Sequence, residues 1–334
     1  MKAIVLNGIE APLTLSEVPV PELEADEALV ALRAAGMNKR DWWIYKGQYA
    51  GLKFPIILGS DGSGIVQSVG AGLPQSWIGQ EVMIYPAAGW GTSEAHQNKD
   101  FQILGLPVNG CYAEFVKVKA DMLYPKPAYL DFTQAAAFPV AGLTAYRALF
   151  VRAGWQKGDK VLISGVGGGA GTFALQYALA AGAEVWVTSG SAEKIQRAVN
   201  MGARGGANYK ESGWAKALLA EAGSFDVIID SALGDGFADL VTLAGWGARI
   251  AFFGGTAGNI PPLNGRPIFW KQISVLGTTM GSPRDFEAML SFIQQHQVKP
   301  VIDEVFTLQE AGKAMERMSE AGSKFGKMVL TIGS

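Results

Sequence analysis

Residues 165 to 172 read GVGGGAGT, directly after the apolar run KVLIS and before a helical pattern. Two glycine spacings overlap here: Gly165, Gly167 and Ala170 fit GxGxxA, while Gly165, Gly168 and Gly171 place a glycine at every third residue. The physics is the same in either frame. Missing Cβ atoms let the backbone turn sharply and approach a pyrophosphate, whose charge meets the amides and dipole at the helix N-terminus. Gly168, Gly169 and Ala170, at the turn into the helix, are the expected contacts. A glycine cluster can also be only a tight turn, and the flanking strand and helix are what favour the dinucleotide reading.

A second stretch, VTSGSAEK (187 to 194), falls where the next strand of such a unit ends. A carboxylate there would accept hydrogen bonds from the ribose hydroxyls of NAD and repel the 2′-phosphate of NADP. None is present, and Glu184 lies at the opposite end of the strand. Ser189, Ser191 and Lys194 can instead donate to a phosphate, each bond to a charged group being worth about 1.5 to 3 kcal/mol. NADPH is therefore the expected cofactor; the competing reading of Lys194 is a solvated helix residue.

The surrounding elements must hold these stretches in place. KVLIS, EVWVT, ANY (207 to 209), FDVIID, ARIAFFG and ISVLGTT read as strands, the first five separated by helical patterns that end near Gly182, Gly202 and Gly223. Such alternation predicts an α/β fold with a parallel sheet covered on both faces. Before it, KAIVL, LTLSEV, EALVALRAAG, SGIVQSVG, EVMIYP and CYAEFVKVKA, punctuated by Gly and Pro, predict an antiparallel or barrel-like domain. Residues 87 to 110 lack the alternation and read as a surface excursion. The tail carries two more helix and strand pairs, whose strands are assigned to the first domain. The expected division is 1–122, 123–281 and 282–334, the nucleotide domain being an insertion.

With 334 residues and 49% hydrophobic side chains, the chain can bury two cores of ordinary size. Its net charge of -2 and the absence of a Lys/Arg run argue against nucleic acid as a partner. The longest apolar stretch is broken by Gln176, Gly182 and Glu184, and the N-terminal run is too short for a signal peptide, so a soluble cytoplasmic protein is expected, with no membrane partner. Cys111, the single cysteine, excludes an internal disulfide.

GMNKRDWWIYKGQY, ILGSDGSGIVQSVG, AAAFPVAGLTAYRAL, the glycine loop, TSGSAEKIQRAVNMGARGGANY and SKFGKMVL together resemble the medium-chain dehydrogenase/reductase superfamily along essentially the whole chain. Within it, the resemblance is to the zinc-independent quinone oxidoreductase and alkenal reductase branch. It implies a Rossmann domain inserted in a GroES-like catalytic domain. Zinc relatives need a Cys near the first motif and a His and Glu near the second; here stand Met37, Asn38, Ser60 and Asp61, which make no usual N/S site. No zinc is expected there or in the excursion, and His96 and His296 read as surface residues. Without a Lewis acid, the acceptor must spread its developing charge by conjugation, as quinones and α,β-unsaturated carbonyls do.

The resemblance places Asn38 beside the nicotinamide and substrate, Thr144 against the nicotinamide ring, Tyr209 near the 2′-phosphate and Lys324 within reach of it. Asn38 could donate to the developing oxyanion or be a buried amide that holds its loop. Trp42, Trp43, Tyr45 and Tyr49 form either a flat wall for a planar substrate or ordinary core. Relatives often carry Tyr where Trp43 stands, and no proton donor is obvious. Gly254, Thr256, Leu276 and Thr278 sit at or beyond strand ends, where open α/β sheets bind ligands. The run ISVLGTTMG should leave an unpaired sheet edge, suited to a two-fold homodimer, and the resemblance implies the same assembly. The expected activity is NADPH-dependent, zinc-independent hydride transfer to a quinone or activated alkene. A strict enone, alkenal or enoyl-thioester reductase and a non-catalytic NADPH-binding protein are the alternatives.

Overall fold

Apolar strands that alternate with helices bury both faces only when the helices cover a parallel sheet. In the computed structural model, which describes residues 1–320, 322 and 324–333, the chain contains such a sheet of six strands. Their spatial order is Gly205–Asn208, Glu184–Ser189, Lys160–Ile163, Phe225–Asp230, Ala244–Phe252 and Ser274–Gly277, every pair parallel. Leu162, Phe225, Ile228 and Ile250 are buried with Phe237, Leu240 and Val241 of a covering helix. Helices end where the glycines predicted: Gly182, Gly202 and Gly223 have φ of 84°, 122° and 73°, in the region that favours glycine. Ser274–Gly277 is the sheet's last strand on that side, and Trp246, Phe269 and Trp270 are each more than two-thirds exposed.

The other unit is β-rich. Its main sheet runs in the order Leu123–Pro125, Glu81–Ile84, Asp61–Val69, Glu27–Gly36, Lys327–Thr331 and Ile302–Thr307, with Phe115–Lys119 also paired to Glu27–Gly36. The tail's two strands thus lie in this sheet, Val329 opposite Gly36 and Leu330 opposite Ala35. The excursion contains its own small sheet, Ala87–Ala88, Gln102–Leu104 and Pro107–Val108, which sequence alternation did not announce because its strands are only two or three residues long.

The boundary between the units differs from the sequence expectation. One unit comprises 1–140, 282–321 and 327–334, and the other 141–281 and 322–326. Residues 123–140 stay with the β-rich unit because Leu123–Pro125 pairs with Glu81–Ile84, and because the helix Phe132–Ala137 buries Ala136 and Ala137 against Ala34 and Val329. A Cβ at Gly36 would lie 2.2 Å from the Ala136 carbonyl oxygen, so this helix rests where only a glycine leaves room. Residues 322–326 join the nucleotide-type unit, in which the Gly326 amide donates to the Gly167 carbonyl at 3.0 Å.

Candidate functional site

In the parallel-sheet unit, Lys160–Ile163 delivers the chain into the glycine loop. Gly165 and Gly167 have φ of 71° and 125°, and Gly168 is the N-cap of helix Gly169–Ala180 with no side chain capping it. The first-turn amides are therefore left for an external acceptor, as a pyrophosphate would be. The loop is pinned from below: Gly165 N donates to Thr188 Oγ1 (3.1 Å) and Val166 N to the Thr188 carbonyl (2.8 Å). A Cβ at Gly167 would sit 2.8 Å from Lys194 Cδ and 3.3 Å from the Lys324 carbonyl, so Lys194 lies across the loop and the Lys324 backbone borders it. Half-buried Ala170 follows in the first helical turn.

The turn after Glu184–Ser189 gathers more donors. Ser189 is buried, and Ser191 is the N-cap of helix Ala192–Met201, its Oγ accepting from Lys194 N at 3.4 Å. That cap uses one of its lone pairs and leaves its hydrogen to donate. A Cβ at Gly190 would fall 2.9 Å from Tyr209 Oη and 2.8 Å from Lys210 Cε. Tyr209 and Lys210 therefore lean over the same turn that Lys194 leaves. Sequence reasoning missed Lys210; its signal was a second lysine directly after Tyr209, past the end of the neighbouring strand.

The remaining strand-end candidates lie as expected in sequence but differ in freedom. Gly254 approaches the Ser231 carbonyl, 2.6 Å from where a Cβ would stand, and Thr256 Oγ1 donates to that carbonyl at 3.4 Å. Leu276 is half-buried in the edge strand. Thr278 N donates to the Phe252 carbonyl, while its Oγ1 is buried without a hydrogen-bond partner. A buried hydroxyl left without a partner just beyond a strand end is a candidate contact for a bound dinucleotide. Thr144 is buried in helix Pro139–Tyr146.

The β-rich unit builds a different site from three strand ends. Gly36 pairs with Asp61 on one side and Val329 on the other, so Asn38, Asp61 and Lys327 converge. Lys327 Nζ donates to the Met37 carbonyl (2.7 Å), Asn38 Oδ1 (2.7 Å) and Asp61 Oδ2 (3.2 Å). Asn38 Nδ2 donates to Asp61 Oδ2 (2.9 Å), and Val140 N to Asp61 Oδ1 (2.8 Å). Burial pushes the Asp61 carboxyl upward, and Lys327, Asn38 and the Val140 amide pull it down. Asn38 is thus a buried amide fixed at both ends, with one Nδ2 hydrogen left over. Lys327, the lone charge opening the apolar strand KMVLT, was readable as a buried cation in need of partners.

Asn38 also caps the helix Lys39–Tyr45, its backbone N–H donating to Asp41 Oδ2 at 2.8 Å, where Tyr112 Oη also donates at 2.8 Å. Burial pushes the Asp41 carboxyl up, and its Oδ1 is without a partner. Next to it, Arg40 donates to Ser60 Oγ, the Leu104 and Leu106 carbonyls and Tyr49 Oη, and stacks over the Tyr49 ring at 5.0 Å. Trp42, Trp43, Tyr45 and Tyr49 are all half-buried, so none is a core residue outright.

The donor set does not suit a catalytic zinc. Met37 and Asn38 stand in the first motif and Ser60 and Asp61 in the second; Ser60 Oγ donates to the Leu104 carbonyl, and Asp61 is taken by three donors. Among the described residues, no three His, Cys, Asp or Glu side chains come together as a metal site. His96 and His296 are exposed.

Two family models match the chain: the alcohol dehydrogenase GroES-like domain over 24–128 and the zinc-binding dehydrogenase over 169–295. The zinc-type alcohol dehydrogenase-like protein YogA of Leptosphaeria maculans is 32% identical across 96% of this chain and 95% of its own. The quinone oxidoreductase of Rattus norvegicus is 30% identical across 98% and 95%. A crystal structure of an NAD-dependent alcohol dehydrogenase superposes with a TM-score of 0.91 at 34% identity, covering 100% of both chains. With a GroES-like β-rich unit, a six-stranded Rossmann sheet and these relatives, the chain belongs to the medium-chain dehydrogenase/reductase superfamily of NAD(P)-dependent oxidoreductases.

Proposed function

We propose that this protein is an NADPH-dependent, zinc-independent oxidoreductase that passes hydride to a quinone or an activated α,β-unsaturated carbonyl. The observation that carries the cofactor preference is the turn Ser189, Gly190 and Ser191, flanked by Lys194, Tyr209 and Lys210 with no carboxylate at the strand's tip. Two ammonium groups and three hydroxyls suit a dianionic 2′-phosphate and leave a ribose diol of NAD without its usual acceptor. The rat relative's name supports the acceptor class, whereas the NAD-dependent alcohol dehydrogenase of like fold supports a different pair; the absent carboxylate and the unsuitable zinc donors favour the former.

The bound dinucleotide would supply the hydride. Its pyrophosphate would be held by the uncapped amides of Gly169–Ala180 across the Gly165–Gly168 loop, and Thr144, Gly254, Thr256, Leu276 and Thr278 would border the rest. Asn38, held by Lys327 and Asp61, would offer its remaining Nδ2 hydrogen to the oxygen on which charge develops. Trp43 and Tyr49 would line the planar acceptor. Aerobic oxidation of NADPH and of NADH, each with panels of quinones and enones, tests the reading. Turnover of NADPH with conjugated acceptors supports it; tight binding without turnover would favour a non-catalytic NADPH-binding protein, and activity on enones alone a strict alkene reductase.

A further inference from the structure

We propose that Lys39 supplies the proton that completes the reduction, an inference that rests on the function proposed above. On the helix Lys39–Tyr45, residues 39, 42 and 43 lie three and four apart and share a face, which the C-cap Lys46 extends. Lys39 Nζ stands 5.4 Å from the Trp42 ring centroid and 5.2 Å from that of Trp43. Among the described residues, no hydrogen bond or ion pair holds this ammonium; two indole faces do. Its ammonium lies against Trp43, one of the groups assigned above to the acceptor, and its backbone directly follows Asn38, the other.

The neighbouring protic groups are committed elsewhere. Tyr45 Oη donates to the Glu10 carbonyl and Lys46 pairs with the Glu10 carboxylate. Arg40 is spread over four acceptors, and Asp41 is fully buried between Tyr112 and the Asn38 amide. Tyr49 Oη accepts from Arg40 and keeps its own hydrogen, which makes Tyr49 the competing donor. Lys39 is exposed, and partial desolvation draws its pKa below the ordinary lysine value. Such an ammonium releases a proton more readily and can regain one from water. The charged groups on its own and adjoining elements are Arg40, Lys46 across the Trp42 ring, Glu10 beneath Lys46, and Lys313, Glu316 and Arg317 of the helix Ala311–Ser319; none is within ion-pair distance of it.

The step balances as follows. Hydride addition at the β-carbon of an enone forms a C–H bond, moves the π pair onto the carbonyl oxygen and oxidises the reduced dinucleotide by two electrons. The Lys39 Nζ–H bond then breaks and an O–H bond forms, giving an enol that tautomerises; with a quinone the same transfer completes the hydroquinone. The neutral amine takes its proton back from solvent.

Two variants and one chemical readout test this. Lys39→Met removes charge and proton, and Lys39→Arg keeps the charge over the indoles but does not release a proton at neutral pH. Both should lower turnover about 100-fold, while the NADPH affinity measured by fluorescence titration stays within about 2-fold. Wild-type turnover should fall as pH rises through the Lys39 pKa, and that limb should be absent in both variants. Independently of activity, acetylation of Lys39 with acetic anhydride, followed against pH by peptide mass, should show a lower midpoint than the other exposed lysines. An Arg variant at wild-type rate, a Lys39 midpoint equal to the others, or a Tyr49→Phe loss that the Lys39 variants do not share would overturn the role of Lys39 alone. A wild type inert toward every quinone and enone would overturn the proposed function first, and this role with it.

Discussion

Lys327 and Asp61 form a buried ion pair, Nζ to Oδ2 at 3.2 Å, with side-chain exposures of 3% and 0%. The pair joins the first residues of two strands to the loop that carries Asn38, so it decides where the amide points. Removing one partner leaves the other charge buried and uncompensated, a loss of about 3 to 5 kcal/mol. Lys327→Met should therefore unfold at markedly lower urea, and Lys327→Met combined with Asp61→Asn should recover part of that loss. Equal urea midpoints for wild type and Lys327→Met would contradict the clamp.

Lys194 and Lys210 approach the Ser189–Ser191 turn from different elements. Either one replaced by Ala removes a charge-assisted contact of about 1.5 to 3 kcal/mol, or about 10- to 100-fold in NADPH affinity. NADH, lacking the phosphate, should bind as before. A titration in which both dinucleotides weaken equally would mean that the lysines serve the fold or the pyrophosphate rather than a 2′-phosphate.

The strand Ser274–Gly277 ends the sheet with its outer edge unpaired among the described residues, Val275 exposed and Trp270 shortly before it; Trp246 is near, since Gly247 N donates to the Lys271 carbonyl at 2.7 Å. Backbone pairing across a two-fold axis would cover both edge and rings. A dimer is expected by sedimentation at micromolar concentration, and Val275→Asp combined with Trp246→Asp should dissociate it. A wild-type monomer would show that the edge is stable unpaired.

Much of the fold is legible in the sequence alone. Alternating apolar strands and the three helix-ending glycines announced the parallel sheet, since both patterns follow from local physics. The Asn38 clamp was not: Asp61 and Lys327 are 266 residues apart, and only the shared neighbour Gly36 brings their strands together. Lys210 and Lys39 escaped for a similar reason. An isolated lysine reads as solvated until its neighbours are known, and the sequence presents the indoles beside Lys39 as wall or core, not as a seat for a cation. The β-rich unit extends to 140 and not to the expected 122, a difference the sequence hides because the short helix Phe132–Ala137 looks the same whichever core it joins.

Met37 and Asn38 in the first motif and Ser60 and Asp61 in the second make no usual zinc donor set, so chelation should not lower turnover, and elemental analysis of active protein should find far less than one zinc per chain. Activity lost to chelator and restored by zinc would require ligands other than these.

The most direct test of the central claim is turnover of one quinone and one enone by chelator-treated wild-type protein with NADPH and NADH in parallel, repeated with Ser189→Asp. The wild type should use NADPH with at least about a 10-fold higher kcat/KM than NADH. A carboxylate at 189 would repel the 2′-phosphate and accept from a ribose, so Ser189→Asp should move the preference toward NADH. A wild type that prefers NADH, or that reduces neither acceptor with either dinucleotide, would contradict the account.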